Sequence, residues 1–218
     1  MWQELNDRLQ SENFAIVAVA EDSRGAAHVR PWIEQAHATY WCLIDVAHRV
    51  AALYGMVNVP QSVWIDAAGR IVRGPETAGS TDHFRRMDMA TRTLSAADQA
   101  ARAAARAAYL TAVADWVRTG RHALPGDAAR AKLPRITPEM VQADAYFRLG
   151  VWLREAGRTD ESRRCLEQAS KLHPSSWTLW RQAADLDEVG KASGPEFWAR
   201  VGALGERPYY EPPDLPGF

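Results

Sequence analysis

Cysteine is scarce in this chain: 2 of 218 residues, Cys42 and Cys165. They stand too far apart for a Cys-x-x-Cys redox motif, and no metal cluster can be built on them. Cys42 lies inside the apolar run Tyr40-Trp41-Cys42-Leu43-Ile44, and Cys165 sits beside Leu166 on an amphipathic stretch. Both read as packed, inert thiols. Nothing in the spacing of Cys42 and His48 makes them a nucleophile pair. An excess of charge of one sign is also lacking. With 26 Lys+Arg against 27 Asp+Glu the net charge is −1, which excludes the basic footprint of a nucleic-acid binder. No apolar run approaches the length needed to cross a bilayer, and no signal-peptide pattern opens the chain. The expectation is a cytoplasmic protein with no membrane partner. There is no glycine-rich phosphate loop and no Gly-x-Ser-x-Gly.

Metal ligands are equally sparse. The 6 histidines (28, 37, 48, 83, 122 and 173) show no ligand spacing, and His37 and His83 read as surface residues. Asp22, Asp45 and Asp66 each close an apolar run, so three acids stand near strand ends. A hard cation would need such oxygens to converge on one point; turn and cap roles are expected instead. No cofactor and no metal are expected.

What the chain does have is an ordinary globular balance, 47% apolar and 24% charged, with 9 tryptophans to anchor packing. Trp2, Leu5 and Leu9 carry a helical spacing. Phe14 to Ala20 is a continuous apolar run that fits a strand buried on both faces. The spacing of Val29, Trp32, Ile33 and Ala36 predicts a helix over Ala26–Ala38. Tyr40–Ile44 is the next strand, Val46–Leu53 the next helix, and Gln61–Asp66 with Arg70–Arg73 a hairpin turning at Asp66 to Gly69. Phe84, Met87 and Thr91 predict one more helix over Thr81–Leu94. This order is α/β.

The stretch Tyr54-Gly55-Met56-Val57-Asn58-Val59-Pro60 followed by a strand, then Asp66-Ala67-Ala68-Gly69-Arg70-Ile71, resembles the second half of a thioredoxin-like domain. The resembled families are the TlpA and ResA thiol–disulfide oxidoreductases and the peroxiredoxins, and the likeness covers about residues 1–92. It implies an incomplete α/β thioredoxin-like domain over 1–94, lacking its first strand and its redox motif. It also implies a cis bond at Val59–Pro60, with Val59 and Pro60 as the substrate-binding residues. In the resembled fold the absent strand lies between Phe14–Ala20 and Gln61–Asp66, which would leave unpaired edges through which two copies could dimerise. A start placed too late in a longer protein is the expectation that follows.

Residues 95–136 read as a connecting helix and linker. Ser95 is an N-cap, Leu94, Ala97, Ala101, Ala105, Ala108, Ala112 and Trp116 trace one face, and Gly120 is the stop. Arg121 to Arg135, with Pro125, Gly126 and Pro134, reads as loop. From residue 137 to 218 an all-α part with an extended tail is expected. Thr137-Pro138-Glu139 sets an N-cap, an N1 proline and a first-turn acid in sequence. Ala143 to Ser176 resembles one tetratricopeptide repeat. Tyr146, Leu149, Gly150 and Leu153 fall on the first helix, Gly157 at the turn, Ser162, Leu166 and Ala169 on the second, and Pro174 at the close. Ser162 replaces the usual alanine. Trp177 to Ala184 opens a second copy, cut short by Gly190 and Gly194-Pro195 before a last helix around Glu196–Leu204.

Two functions follow. One is the remainder of a TlpA/ResA-type oxidoreductase or thiol peroxidase acting on protein thiols. The other is a non-enzymatic interaction module whose tetratricopeptide-like half docks a protein partner.

Overall fold

The computed structural model describes residues 1–186 and 191–218. In chain order the elements are α1 (Trp2–Leu9), β1 (Val17–Ala20), α2 (Ala26–Ala36), β2 (Trp41–Ile44), α3 (Arg49–Tyr54), β3 (Gln61–Ile65) and β4 (Ile71–Thr77). A 3-10 turn over Asp82–Arg86 precedes α4 (Ala96–Thr119), α5 (Gly126–Ala131), α6 (Pro138–Glu155), α7 (Thr159–Leu172), α8 (Trp177–Ala183) and α9 (Pro195–Gly202). The architecture is mixed, with small sheets, and its C-terminal half is helical. Among the described residues no helix is long and apolar enough to cross a membrane. Two compact units form, each from two stretches of chain: Met1–Val59 with Leu133–Ala192, and Pro60–Lys132 with Ser193–Phe218. The segments 1–94, 95–136 and 137–218 follow composition along the chain, whereas contacts group it by this interleaved pattern.

In the first unit β1 and β2 pair in parallel, Val17 opposite Trp41 and Ala20 opposite Ile44. The Gln3 side chain on α1 donates to Thr39 Oγ1 and accepts from the Thr39 amide, each at 2.8 Å, which ties that helix to the start of β2. The helical hairpin is built from its caps inward. Thr137 Oγ1 accepts from the Met140 amide at 3.3 Å, Pro138 opens α6, and Gly157 turns the chain into α7. The two helices meet at Gly150, where an added Cβ would lie 2.8 Å from Leu166 Cδ2 and Cγ. Ser162 Oγ, standing where the repeat usually has alanine, donates to the Gly150 carbonyl at 2.7 Å. It thereby fixes the crossing with a buried hydrogen bond. Ala143, Phe147, Val151, Leu166, Ala169 and Leu179 form the core around that crossing.

The second unit is organised around a buried cation. Arg73 on β4 is 1% exposed. Its Nε and Nη2 reach both oxygens of Glu76, its Nη1 donates to the His122 carbonyl at 3.0 Å and its Nη2 to the Asp214 carbonyl at 2.9 Å. The guanidinium also lies 5.4 Å from the Trp64 ring. One side chain thus joins the hairpin, the loop after α4 and the C-terminal tail. A buried charge this fully hydrogen-bonded is tolerated; removing one partner typically costs about 3–5 kcal/mol. Tyr109 on α4 extends the network, accepting from Trp64 Nε1 at 2.8 Å and hydrogen-bonding the Ser62 hydroxyl.

Several expectations need correction. The four strands do not share one sheet; β1 pairs β2, and β3 pairs β4 antiparallel. The cis bond among the described residues is Gly74–Pro75, and Val59–Pro60 is trans. Trans is the default for X-Pro, and the Pro60 carbonyl accepts from the Ala78 amide at 3.2 Å, so this proline simply leads into β3. Helix does not run over 81–94. It stops after the 3-10 turn because the Asp88 carboxylate takes the Ala90 and Thr91 amides into a turn and Asp88 bridges Thr93. Part of the 121–135 linker is helical, as α5. The tail packs rather than extending free: Asp82 accepts from the Tyr209 and Tyr210 amides at 2.7 and 2.8 Å, and Tyr209 meets Phe84 edge to face, 4.9 Å between centroids. Gly190 lies outside the described residues; Gly194–Pro195 starts α9.

Replacing Gly150 with Leu is expected to cost about 1–3 kcal/mol by overpacking against Leu166. Urea unfolding of the two proteins measures it; an unchanged midpoint would contradict the close crossing.

Candidate functional site

The chain leaving β1 and β2 carries Glu21, Asp22 and Asp45, so acids stand at the carboxyl ends of two parallel strands. Asp45 Oδ2 accepts from the Val50 amide and so caps the start of α3. Between them His48 adopts a left-handed conformation, φ 49°. That turn brings the imidazole inward, 2% exposed, against the Phe147 ring of α6 with 4.6 Å between centroids. His48 Nδ1 lies 3.5 Å from Glu21 Oε2, longer than a charge-assisted bond. Neither ring nitrogen nor that oxygen has a hydrogen-bond partner among the described residues.

Burial decides the charge state of this pair. It pushes the Glu21 carboxyl up to about 8, an effect the Asp45 charge reinforces and the Ala51 backbone opposes. It pushes His48 down to about 4, outweighing the Asp45 and Asp22 charges. At neutral pH the two are therefore a neutral acid beside a neutral imidazole. Asp22 behaves differently: burial would raise it, but hydrogen bonds from Arg24 outweigh burial and hold it below the ordinary carboxylate range. Arg154 of α6 donates to the Ser23 carbonyl at 3.0 Å and to Ser23 Oγ at 2.6 Å, binding the strand ends to the repeat.

His48 lines a cavity of about 130 Å³. Ala51, Ala52, Gly55 and Met56 form its α3 side, Ile136, Met140, Val141 and Asp144 its α6 side, and His173, Ser176, Thr178 and Leu179 its third side. Gly55 is needed there on two counts: its φ is +65°, and a Cβ would lie 1.8 Å from Pro134 Cγ. The polar groups on the walls are already occupied or neutral. Asp144 pairs with Arg148 at 2.9 Å, Ser176 Oγ accepts from the Leu179 amide and hydrogen-bonds Thr178, and burial lowers His173. The rim continues onto the outer face of α6. There Val141, Leu149 and Trp152 follow helical spacing and are 58%, 45% and 57% exposed, while Phe147 and Val151 face the core.

Among the residues singled out from sequence, Val59 and Pro60 lie in the chain between α3 and β3, with the Val59 amide bonded to Asn58 Oδ1 at 2.9 Å. Cys42 on β2 and Cys165 on α7 are half-buried. Asp22 and Asp45 come to neighbouring strand ends, whereas Asp66 holds its own turn, accepting from the Ala68 and Arg70 amides. Among the described residues no group of three or more His, Cys, Asp or Glu could hold a metal ion. The strand edges to which self-association was assigned, those of 14–20 and 61–66, lie in separate sheets. Glu21 and His48 escape sequence reading, because neither periodicity nor spacing announces a buried pair assembled by a left-handed residue.

A tetratricopeptide repeat model matches residues 143–186, the span of α6 from its second turn through α7 and α8. The chain matches no curated protein and no solved structure. The match leaves the thioredoxin-like resemblance without support, as does the division of the strands into two sheets.

The pair carries a pH signature. Glu21, raised, favours the folded state fully below about 4.5 and loses that contribution as pH climbs through about 8. His48, lowered, acts in the opposite sense between about 6.5 and about 4. The two slopes oppose each other in the acid range, and from pH 6.5 to 8 Glu21 acts alone. Stability is expected to fall over that window by at most about 1.4 kcal/mol per pH unit, the limit for one proton, reduced by residual solvent contact. Glu21→Gln should flatten the profile; thermal melts across the window measure it, and an unchanged slope would contradict the neutral pair.

Proposed function

We propose that this chain is a non-catalytic protein-interaction module that docks an extended segment of a partner protein across the outer face of α6. The observation that carries the reading is the pairing of a tetratricopeptide repeat match with an exposed apolar stripe on the first repeat helix. Such repeats expose one helical face for binding because stacking buries only the other. Val141, Leu149 and Trp152 form a run of apolar anchors on that face, and a tryptophan is the residue type on which binding energy most often concentrates. The oxidoreductase reading gains nothing from the half-buried cysteines on β2 and α7 or from the two separate sheets.

Peptides selected from a random displayed library against the intact chain test the proposal. Trp152→Glu is expected to weaken the selected peptides at least tenfold while circular dichroism and the melting temperature stay unchanged. Undiminished binding by that variant would overturn the reading.

A further inference from the structure

We propose that β2 pairs, edge to edge and antiparallel, with β2 of a second copy of this chain, so that two small sheets become one sheet of four strands. Docking on α6 has no part in this pairing. The Asp45 amide donates to the Ala20 carbonyl at 2.9 Å, and Leu43 stands opposite Val19. Backbone groups alternate sides along a strand. Those of Trp41, Leu43 and Asp45 therefore point to β1, and those of Tyr40, Cys42 and Ile44 point away. The sheet ends at β2, and these outward groups meet no hydrogen-bond partner among the described residues. Such a row is a template for the backbone of another extended chain. The far edge of β1 is free as well, but only Val17 of its four residues is exposed, against Trp41, Leu43 and Ile44 of β2. β2 is the strand open to approach.

Self-complementarity then selects the second copy as the occupant. Edge strands are commonly guarded by lysine, proline or a bulge, and Tyr40–Ile44 contains no charged residue, proline or glycine. A two-fold axis through Cys42 sets Cys42 opposite Cys42 of the second copy, and Tyr40 opposite its Ile44. Each outward residue of one strand then meets an outward residue of the other, the pairing that exchanges both backbone bonds. A slip of one residue would set outward groups against inward ones, and a slip of two would leave some unpaired. The same axis places Trp41 opposite Leu43 of the second copy. Within each copy Val17 lies opposite Trp41 and Val19 opposite Leu43, so one face carries the unbroken row Val17, Trp41, Leu43, Val19. In the single chain Val17, Trp41 and Leu43 are 55%, 69% and 49% exposed; cross-strand contact covers them. Asp45 falls opposite Thr39, so no like charges meet. Two strands are marginal alone, and four are not. Five residues a side is far fewer than the roughly 20–30 of a stable interface, so the pair dissociates on dilution.

Sedimentation velocity and amide exchange of the full, isotopically labelled chain, followed over rising concentration, test the pairing. The mean mass is expected to move from one copy towards two. The Tyr40, Cys42 and Ile44 amides should slow at least threefold, while those of Trp41 and Leu43, which already face β1, change little. Trp41→Lys puts a charge on the edge at an exposed side chain and should weaken association at least tenfold with circular dichroism unchanged. Should that variant unfold, the exchange pattern of the unaltered chain decides alone. A chain that stays monomeric at every concentration overturns the pairing. So does a dimer whose Cys42 and Ile44 amides exchange as in the monomer, or one that a folded Trp41→Lys variant leaves intact.

Discussion

The approach of α6 to α7 at Gly150 is the constraint on which the first unit depends. No side chain fits there, and Leu166 fills the space against the bare backbone. Ser162 adds a hydrogen bond to the Gly150 carbonyl at the same point. With the crossing fixed, Phe147 and Val151 must face inward, and helical geometry then commits Val141, Leu149 and Trp152 to the outside. The apolar outer stripe is therefore a consequence of how tightly the inner face is packed. Phe147 transmits the constraint further, since the His48 ring packs on it and His48 in turn lines the cavity.

The two units solve the burial of polar groups in opposite ways. In the second, Arg73 keeps its charge and is surrounded by acceptors, two carboxylate oxygens and two backbone carbonyls. In the first, Glu21 and His48 give up charge, because burial is stronger than the attraction available at 3.5 Å without a proper hydrogen bond. A fully satisfied network is structural cement.

Local chemistry was readable from the residues wherever it was local. Thr137-Pro138 does cap α6, Gly157 does turn the hairpin, and Ser95 and Gly120 bound α4 as their types predict. The turn at Asp66 is likewise a matter of four neighbouring residues. Long-range pairing was not readable. The apolar runs at 14–20, 40–44 and 61–66 say strand, but nothing in them says which share a sheet: the first two pair with each other and the third does not join them. Thr81–Leu94 has helical spacing and loses to the Asp88 side chain. The candidate site fails to show in sequence for the same reason: His48 acquires its role from a left-handed backbone and from Phe147, distant in sequence.

The central claim is that the outer face of α6 receives a partner segment. A photo-reactive benzophenone placed at Leu149 tests it most directly, against the same group at Glu167 on the exposed side of α7. The account predicts that irradiation joins a bound segment to the chain at position 149 and not at 167. Crosslinking at 167 alone, or equally at both, would contradict it.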